Sequence, residues 1–276
     1  MSACGHLEGI FLNTTFIRAG TLAALSIALC GSALAADFFN GFETDISGWD
    51  AFGGSFNATR VSSGTNGITA ATGGFYGQTG TAATNWGGYN QSFASTGYVT
   101  SVDIFLDMSG GWANDTRFAY TSAINNSGGT HLRDFVFSGG FYNDLGLGNR
   151  FVFSASNNAP GWPQDPGRDP FTVSTTGWYT MEHSFGIVGG VLSVDMRLRG
   201  AGGALLHSWT LSNPADVAAN VGGNRYGWFT HNQFGTLAID NSRRYSPGAV
   251  PEPFTMGLGL ASAGLFLRRR LKSARA

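Results

Sequence analysis

The sequence predicts an all-β fold built from two antiparallel sheets. Three observations carry that expectation. Two segments alternate apolar and polar residues with period two, 98–108 and 191–199. Turn-forming residues are abundant, with 42 Gly in 276 residues, and Gly, Asn, Ser and Asp separate the apolar runs. No stretch shows strands alternating with long helices, which argues against a parallel α/β sheet.

In chain order, the first candidate strand is 38–42, followed by 56–61 and 89–93. In 98–108, Thr100, Val102, Ile104, Leu106 and Met108 form one face; Ser101, Asp103, Phe105 and Asp107 form the other. Strands follow at 116–123, 132–137, 150–155 and 178–187. In the last of these His183 shares the apolar phase with Tyr179, Met181 and Phe185, the place of a core residue rather than a ligand. Gly189-Gly190 reads as a two-residue hairpin turn. It leads into 191–199, where Leu192, Val194, Met196 and Leu198 point in and Ser193, Asp195, Arg197 and Arg199 point out. The remaining strands are 204–211, 225–230 and 235–240. Asn213-Pro214-Ala215-Asp216 carries a capping residue before Pro and predicts one short helix. The run Gly222 to Phe229 is expected to turn into the penultimate strand, with Trp228 packed.

Both ends differ in composition from this middle. Arg18 precedes an apolar run, Ala19 to Leu29, and Ala33-Leu34-Ala35 supplies small residues where a signal peptidase reads. The expectation is a signal peptide over 1–35, an N-terminal signal helix removed after Ala35. At the other end, Val250, Pro251, Glu252 and Pro253 precede fourteen apolar residues, 254–267, and then Arg268, Arg269, Arg270, Lys272 and Arg275. As a helix that run spans ~21 Å, short of a ~30 Å hydrocarbon core. It makes a marginal anchor, with the basic cluster held on the cytoplasmic side.

The tripartite tail, 248–276, resembles the PEP-CTERM sorting signal of Gram-negative bacteria. The resemblance implies export, transient retention in the inner membrane by a short helix and recognition by an exosortase. It further implies release to the cell surface or the extracellular polysaccharide matrix.

What remains, 36–247, is one domain. It holds ten Arg, no Lys and fifteen Asp or Glu, a net charge of −5 where the whole chain has −1. A basic nucleic-acid binder is thereby excluded. Cys4 and Cys30 both lie in the leader, so the domain has no disulfide and no thiolate metal site. The domain opens with Phe39-Asn40-Gly41-Phe42-Glu43 and Ser47-Gly48-Trp49 and closes with Leu237-Ala238-Ile239-Asp240-Asn241. These ends resemble jelly-roll domains of the carbohydrate-binding and concanavalin A-like type. The resemblance implies a jelly-roll sandwich and a structural calcium ion shared by Glu43 and Asp240, completed by carbonyl oxygens or Asp45.

Three polar loops carry aromatics suited to stacking on the apolar face of a sugar ring. They are 85–89 with Trp86 and Tyr89, 110–115 with Trp112, and 160–169 with Trp162 and Arg168. Each Trp has a competing role as a cap on the core. Flanking prolines make Trp162 the best candidate for exposure. No catalytic residue is assigned. The E-x-D-x-x-E pattern of concanavalin A-like glucanases is absent, as are a G-x-S-x-G elbow and metal-spaced histidines. Pairs such as Asp103 with Asp107 sit on an outward face, where Asp is ordinarily just solvated. The expected function is a non-catalytic, surface-sorted sandwich contacting polysaccharide. The alternatives are a purely structural matrix protein and, further off, a glycan hydrolase.

Overall fold

The computed structural model describes residues 38–51, 58–80, 84–86, 97–126, 130–230 and 232–245. The expected signal peptide, the expected strand at 89–93 and the expected sorting tail lie outside them.

The described strands are β1 (Phe38–Asn40), β2 (Trp49–Ala51), β3 (Thr59–Ser62), β4 (Phe75–Gln78), β5 (Thr84–Trp86), β6 (Tyr98–Leu106), β7 (Thr116–Asn126) and β8 (His131–Tyr142). They continue with β9 (Arg150–Asn157), β10 (Phe171–Val173), β11 (Gly177–Val188), β12 (Val191–Arg199), β13 (Leu205–Val217), β14 (Val221–Thr230) and β15 (Ala238–Tyr245). One sheet runs β13-β12-β11-β6-β15-β4-β3, with β1 also paired to β15. The other runs β10-β9-β8-β7-β14-β5-β2. Every pairing is antiparallel.

The two sheets share one core, as period-two alternation requires of a sandwich. The first sheet contributes Val102, Ile104, Leu106, Met181, Phe185, Val194, Met196 and Leu198. The second contributes a layer of rings: Phe118, Tyr120, Phe135, Phe137, Phe141, Phe151 and Phe153. The expected inward faces of 98–108 and 191–199 are therefore correct. A smaller cluster of Ala70, Tyr76 and Ala238 lies apart from this core, with Phe105 and Trp178 packed against it.

His183 lies in the core as expected, fully buried, with Nε2 3.0 Å from the Phe135 carbonyl. Gly189 and Gly190 form the expected two-residue turn, at φ 60° and 80°, between paired Val188 and Val191. Those angles place the backbone where side chains other than Gly, Asn and Asp are disfavoured.

Two expectations fail. Residues 213–216 are not a helix: β13 runs through them to Val217. The register jumps between Val191↔Val217 and Ser193↔Ser212, so the segment bulges out of the ladder. Asn213 does not cap a helix; its side chain accepts the Ala215 N–H at 2.9 Å in a local turn. Burial of Asp216 against Arg133 of β8 holds the bulge, a tertiary contact overriding a local capping signal. The Gly222 run is likewise strand rather than turn. β14 already begins at Val221 and absorbs the glycines as two register shifts. Trp228 is buried as expected.

Candidate functional site

The outward face of the second sheet prepares a seat for the loop after β9. Alternation sends Phe137 and Phe153 inward and leaves Ser138 and Ser154, paired across β8 and β9, facing out. Ser138 Oγ accepts the Gly161 N–H at 2.8 Å. Ser154 Oγ donates to the Trp162 carbonyl at 3.3 Å, and Ser156 Oγ donates to the Ala159 carbonyl at 2.7 Å. Hydroxyls thus fasten three loop backbone groups to the sheet.

The loop then closes on itself. The Asp165 N–H donates to the Trp162 carbonyl at 3.0 Å, and the Asp165 side chain caps a 3-10 helix, Pro166–Arg168, by accepting the Gly167 N–H at 2.9 Å. Its far end is held by the other sheet. Trp209 Nε1 donates to the Arg168 and Asp169 carbonyls at 3.1 and 2.8 Å, and His207 Nε2 lies 2.9 Å from Asp169 Oδ2.

Held this way, Trp162 is 46% exposed, as the flanking prolines predict. It borders a groove of about 410 Å³ with Pro160, Gly161, Pro163, Arg117 and Gln233. Arg117 projects outward from β7, bonded through Nε to Asp115 Oδ1 at 2.7 Å and through Nη2 to the other carboxylate oxygen. That ion pair holds the Asp115 carboxyl below the usual carboxylate range. Gln233 pairs with Arg117 twice: its Oε1 accepts the Arg117 N–H at 2.8 Å, and its N–H reaches the Arg117 carbonyl at 2.9 Å. The groove therefore offers an aromatic plane beside a guanidinium and an amide. Nothing in the sequence ties Gln233 to Trp162; the sheet brings them together.

Of the other expected stacking residues, Trp112 and Arg168 are described and are placed differently. The side chain of Trp86 and the whole of Tyr89 lie outside the described residues. Trp112 packs its ring edge-on to Phe234, centroids 5.0 Å apart, and is partly buried against the core. Its neighbour Gly110 has no room for a Cβ, which the Trp112 indole would meet. Trp112 thus acts as a core cap that also borders a smaller pocket of about 190 Å³ with Phe105 and Asp107. Arg168 is bonded through Nε to Asp165 Oδ2 at 3.0 Å and packs under Gly161, the neighbour of Trp162.

Glu43 and Asp240 both address the segment 71–75, but each does so with hydrogen bonds. The Glu43 carboxylate accepts the Gly74 and Phe75 N–H groups at 3.0–3.1 Å. The buried Asp240 accepts the Asn241 N–H at 2.7 Å and the Thr72 N–H at 3.2 Å. Calcium needs six to eight oxygen ligands, and in this structure both carboxylates are engaged by backbone N–H donors. Among the described residues no three His, Cys, Asp or Glu side chains converge as a metal site.

Asp240 instead lies beside Asp103 on β6, which the sequence gives only as a solvated outward residue. Asp103 accepts from Thr180 Oγ1 at 2.5 Å and Asn241 Nδ2 at 2.9 Å. Asp103, Thr180 and Asn241, with Thr72, Trp178 and the turn 200–203, edge a pocket of about 340 Å³ on the first sheet.

No family model matches this sequence, and no curated protein matches it. Among solved structures, the chain is similar to a protein of unknown function from Shewanella oneidensis MR-1. That match has 14% identity and a TM-score of 0.40, over 76% of this chain and 87% of that one. It is also similar to the CBM2 module of evolved Dit from Lactobacillus casei BL23 phage J-1, at 11% identity and TM-score 0.38, over 76% and 94% of the chains. A third is winged bean acidic lectin complexed with methyl-α-D-galactose, at 9% identity and TM-score 0.34, over 75% and 91%.

Proposed function

We propose that this protein is an exported, surface-sorted and non-catalytic β-sandwich that contacts polysaccharide through the Trp162 groove. The observation that carries the reading is the exposure of Trp162 above Arg117 and Gln233 on a loop fastened to both sheets. A pyranose presents an apolar C–H face that lies on an indole plane, while its hydroxyls bond the flanking polar groups. Fastening the loop in advance lowers the ordering cost of binding. Export and surface release rest on the sequence of the two ends: the apolar leader with its Ala33-Leu34-Ala35 site, and the Pro-Glu-Pro tail with its basic end. Signal peptidase, the inner membrane and an exosortase are its partners on that route.

The test is retention of the purified full chain, in mild detergent, on a panel of polysaccharides that includes the host's own exopolymer. Retention on at least one polymer, weakened about thirtyfold by Trp162→Ala, is expected, since truncating a central aromatic costs ~2 kcal/mol. Retention unchanged in that variant would remove the groove from the reading. No retention on any polymer would leave a passive matrix protein.

A further inference from the structure

Resting on the reading of Trp162 as a sugar platform, we infer that the groove selects neutral, hydroxyl-only polymers over uronate-bearing or sulfated ones. The charges on this face carry the inference. Arginine recognises a carboxylate or sulfate by presenting two parallel N–H groups of its fork. In Arg117 the Nε and Nη2 edge is already taken by both oxygens of Asp115. Arg168 gives its Nε to Asp165.

Farther along the same outward face, Arg150 lies over the Tyr142 ring, its guanidinium carbon 5.8 Å from the ring centre. Its Nη2 is paired with Asp144, and its Nη1 donates to the Asp144 and Gly148 carbonyls. Each of these three cations thus carries its own anion, and among the described residues the three pairs add no net charge to the strip. A polyanion entering it would meet Asp115 and Asp165 at close range, and would first meet a domain of charge −5. A hydroxyl meets no such conflict, because it donates to a carboxylate oxygen and accepts from a remaining guanidinium N–H.

Asp115 offers a variant that changes this charge without disturbing the backbone. It sits at φ 64°, a conformation Asn adopts readily. Asp115→Asn removes the anion and leaves the Arg117 fork one acceptor in place of two.

The experiment compares the full chain, Asp115→Asn and Trp162→Ala on a neutral β-glucan and on polygalacturonate, each at low (~50 mM) and high (~500 mM) salt. The expected result is Trp162-dependent retention of wild type on the glucan, changing less than about twofold with salt. Retention on polygalacturonate beyond that of Trp162→Ala should be shown only by Asp115→Asn, and should be released by salt. Retention of wild type on polygalacturonate through Trp162 would overturn the neutral-polymer inference and leave the sugar platform standing. Retention of wild type on neither polymer would overturn the inference, with the fate of the platform then decided by the wider panel.

Discussion

Asp103 and Asp240 stand opposite each other on adjacent antiparallel strands, two carboxylates in one cross-strand pair. Asp240 is fully buried, and burial pushes its pKa up to about 6; the nearby Asp103 charge adds to the rise, while the Asn241 and Thr72 N–H groups oppose it. The folded state therefore holds this proton more tightly than the unfolded chain does. By linkage, the contribution of Asp240 to stability is complete below about pH 4 and falls away as pH rises to about 6. Between pH 4 and 7, Asp240→Asn should gain up to about 3 kcal/mol relative to wild type. Urea unfolding of both proteins at the two pH values measures the difference. An unchanged difference would mean that Asp240 is already ionised at pH 4.

His183 acts in the opposite direction. Full burial lowers its pKa to about 3, against the hydrogen bond to the Phe135 carbonyl, which favours the charged form. The unfolded chain takes up a proton near pH 6.5 that the folded core refuses, so stability is lost as pH falls below that value. Between pH 6.5 and 5 the loss should be about 2 kcal/mol. His183→Gln keeps a donor for the carbonyl and does not titrate, so its acid limb should be flatter by that amount in the same unfolding series.

Arg133 and Asp216 join the two sheets, with Nε–Oδ2 at 2.6 Å and Nη2–Oδ1 at 3.2 Å. Asp216 is 1% exposed, so Arg133→Ala strands a buried carboxylate and should cost about 3–5 kcal/mol. The double variant Arg133→Met, Asp216→Leu should recover most of that loss. Thermal unfolding of the single and double variants separates a stranded charge from simple loss of packing.

The Gly189-Gly190 turn tests backbone strain alone, because a Cβ on either glycine would meet open space. Gly189→Asn should be nearly neutral, since Asn tolerates this region. Gly190→Val should cost about 1–2 kcal/mol. Equal stability of the two variants in chemical denaturation would show that the turn relaxes.

Calcium should leave the protein's melting temperature unchanged relative to EDTA, because hydrogen bonds already satisfy Glu43 and Asp240. A calcium-dependent rise that Glu43→Gln abolishes would restore the shared-ion arrangement.

Long strands were legible because alternation over nine or more residues leaves little ambiguity. Residues 98–106 and 191–199 fall in place with the expected faces. The short strands β2, β4, β5 and β10 have three or four residues each, too few to show a period. They exist because a neighbouring strand offers them hydrogen bonds. At 213–216 a real capping signal was overruled, because Asp216 had a partner 83 residues away. In the candidate site, prolines marked Trp162 as exposed, while Trp112 looked equivalent until Phe234 was placed against it.

The sequence by itself determined the class of the fold, the facing of its long strands, the hairpin at Gly189-Gly190 and the core place of His183. All of these depend on local periodicity and on backbone angles that neighbouring residues set. The tertiary structure decided the rest. It set Gln233 beside Arg117, paired Arg117 and Arg168 each with a carboxylate and made Glu43 and Asp240 hydrogen-bond acceptors for the segment 71–75. Those outcomes depend on which residues the sheets bring within about 3 Å, and hydrogen-bond geometry at that range is not encoded in chain spacing.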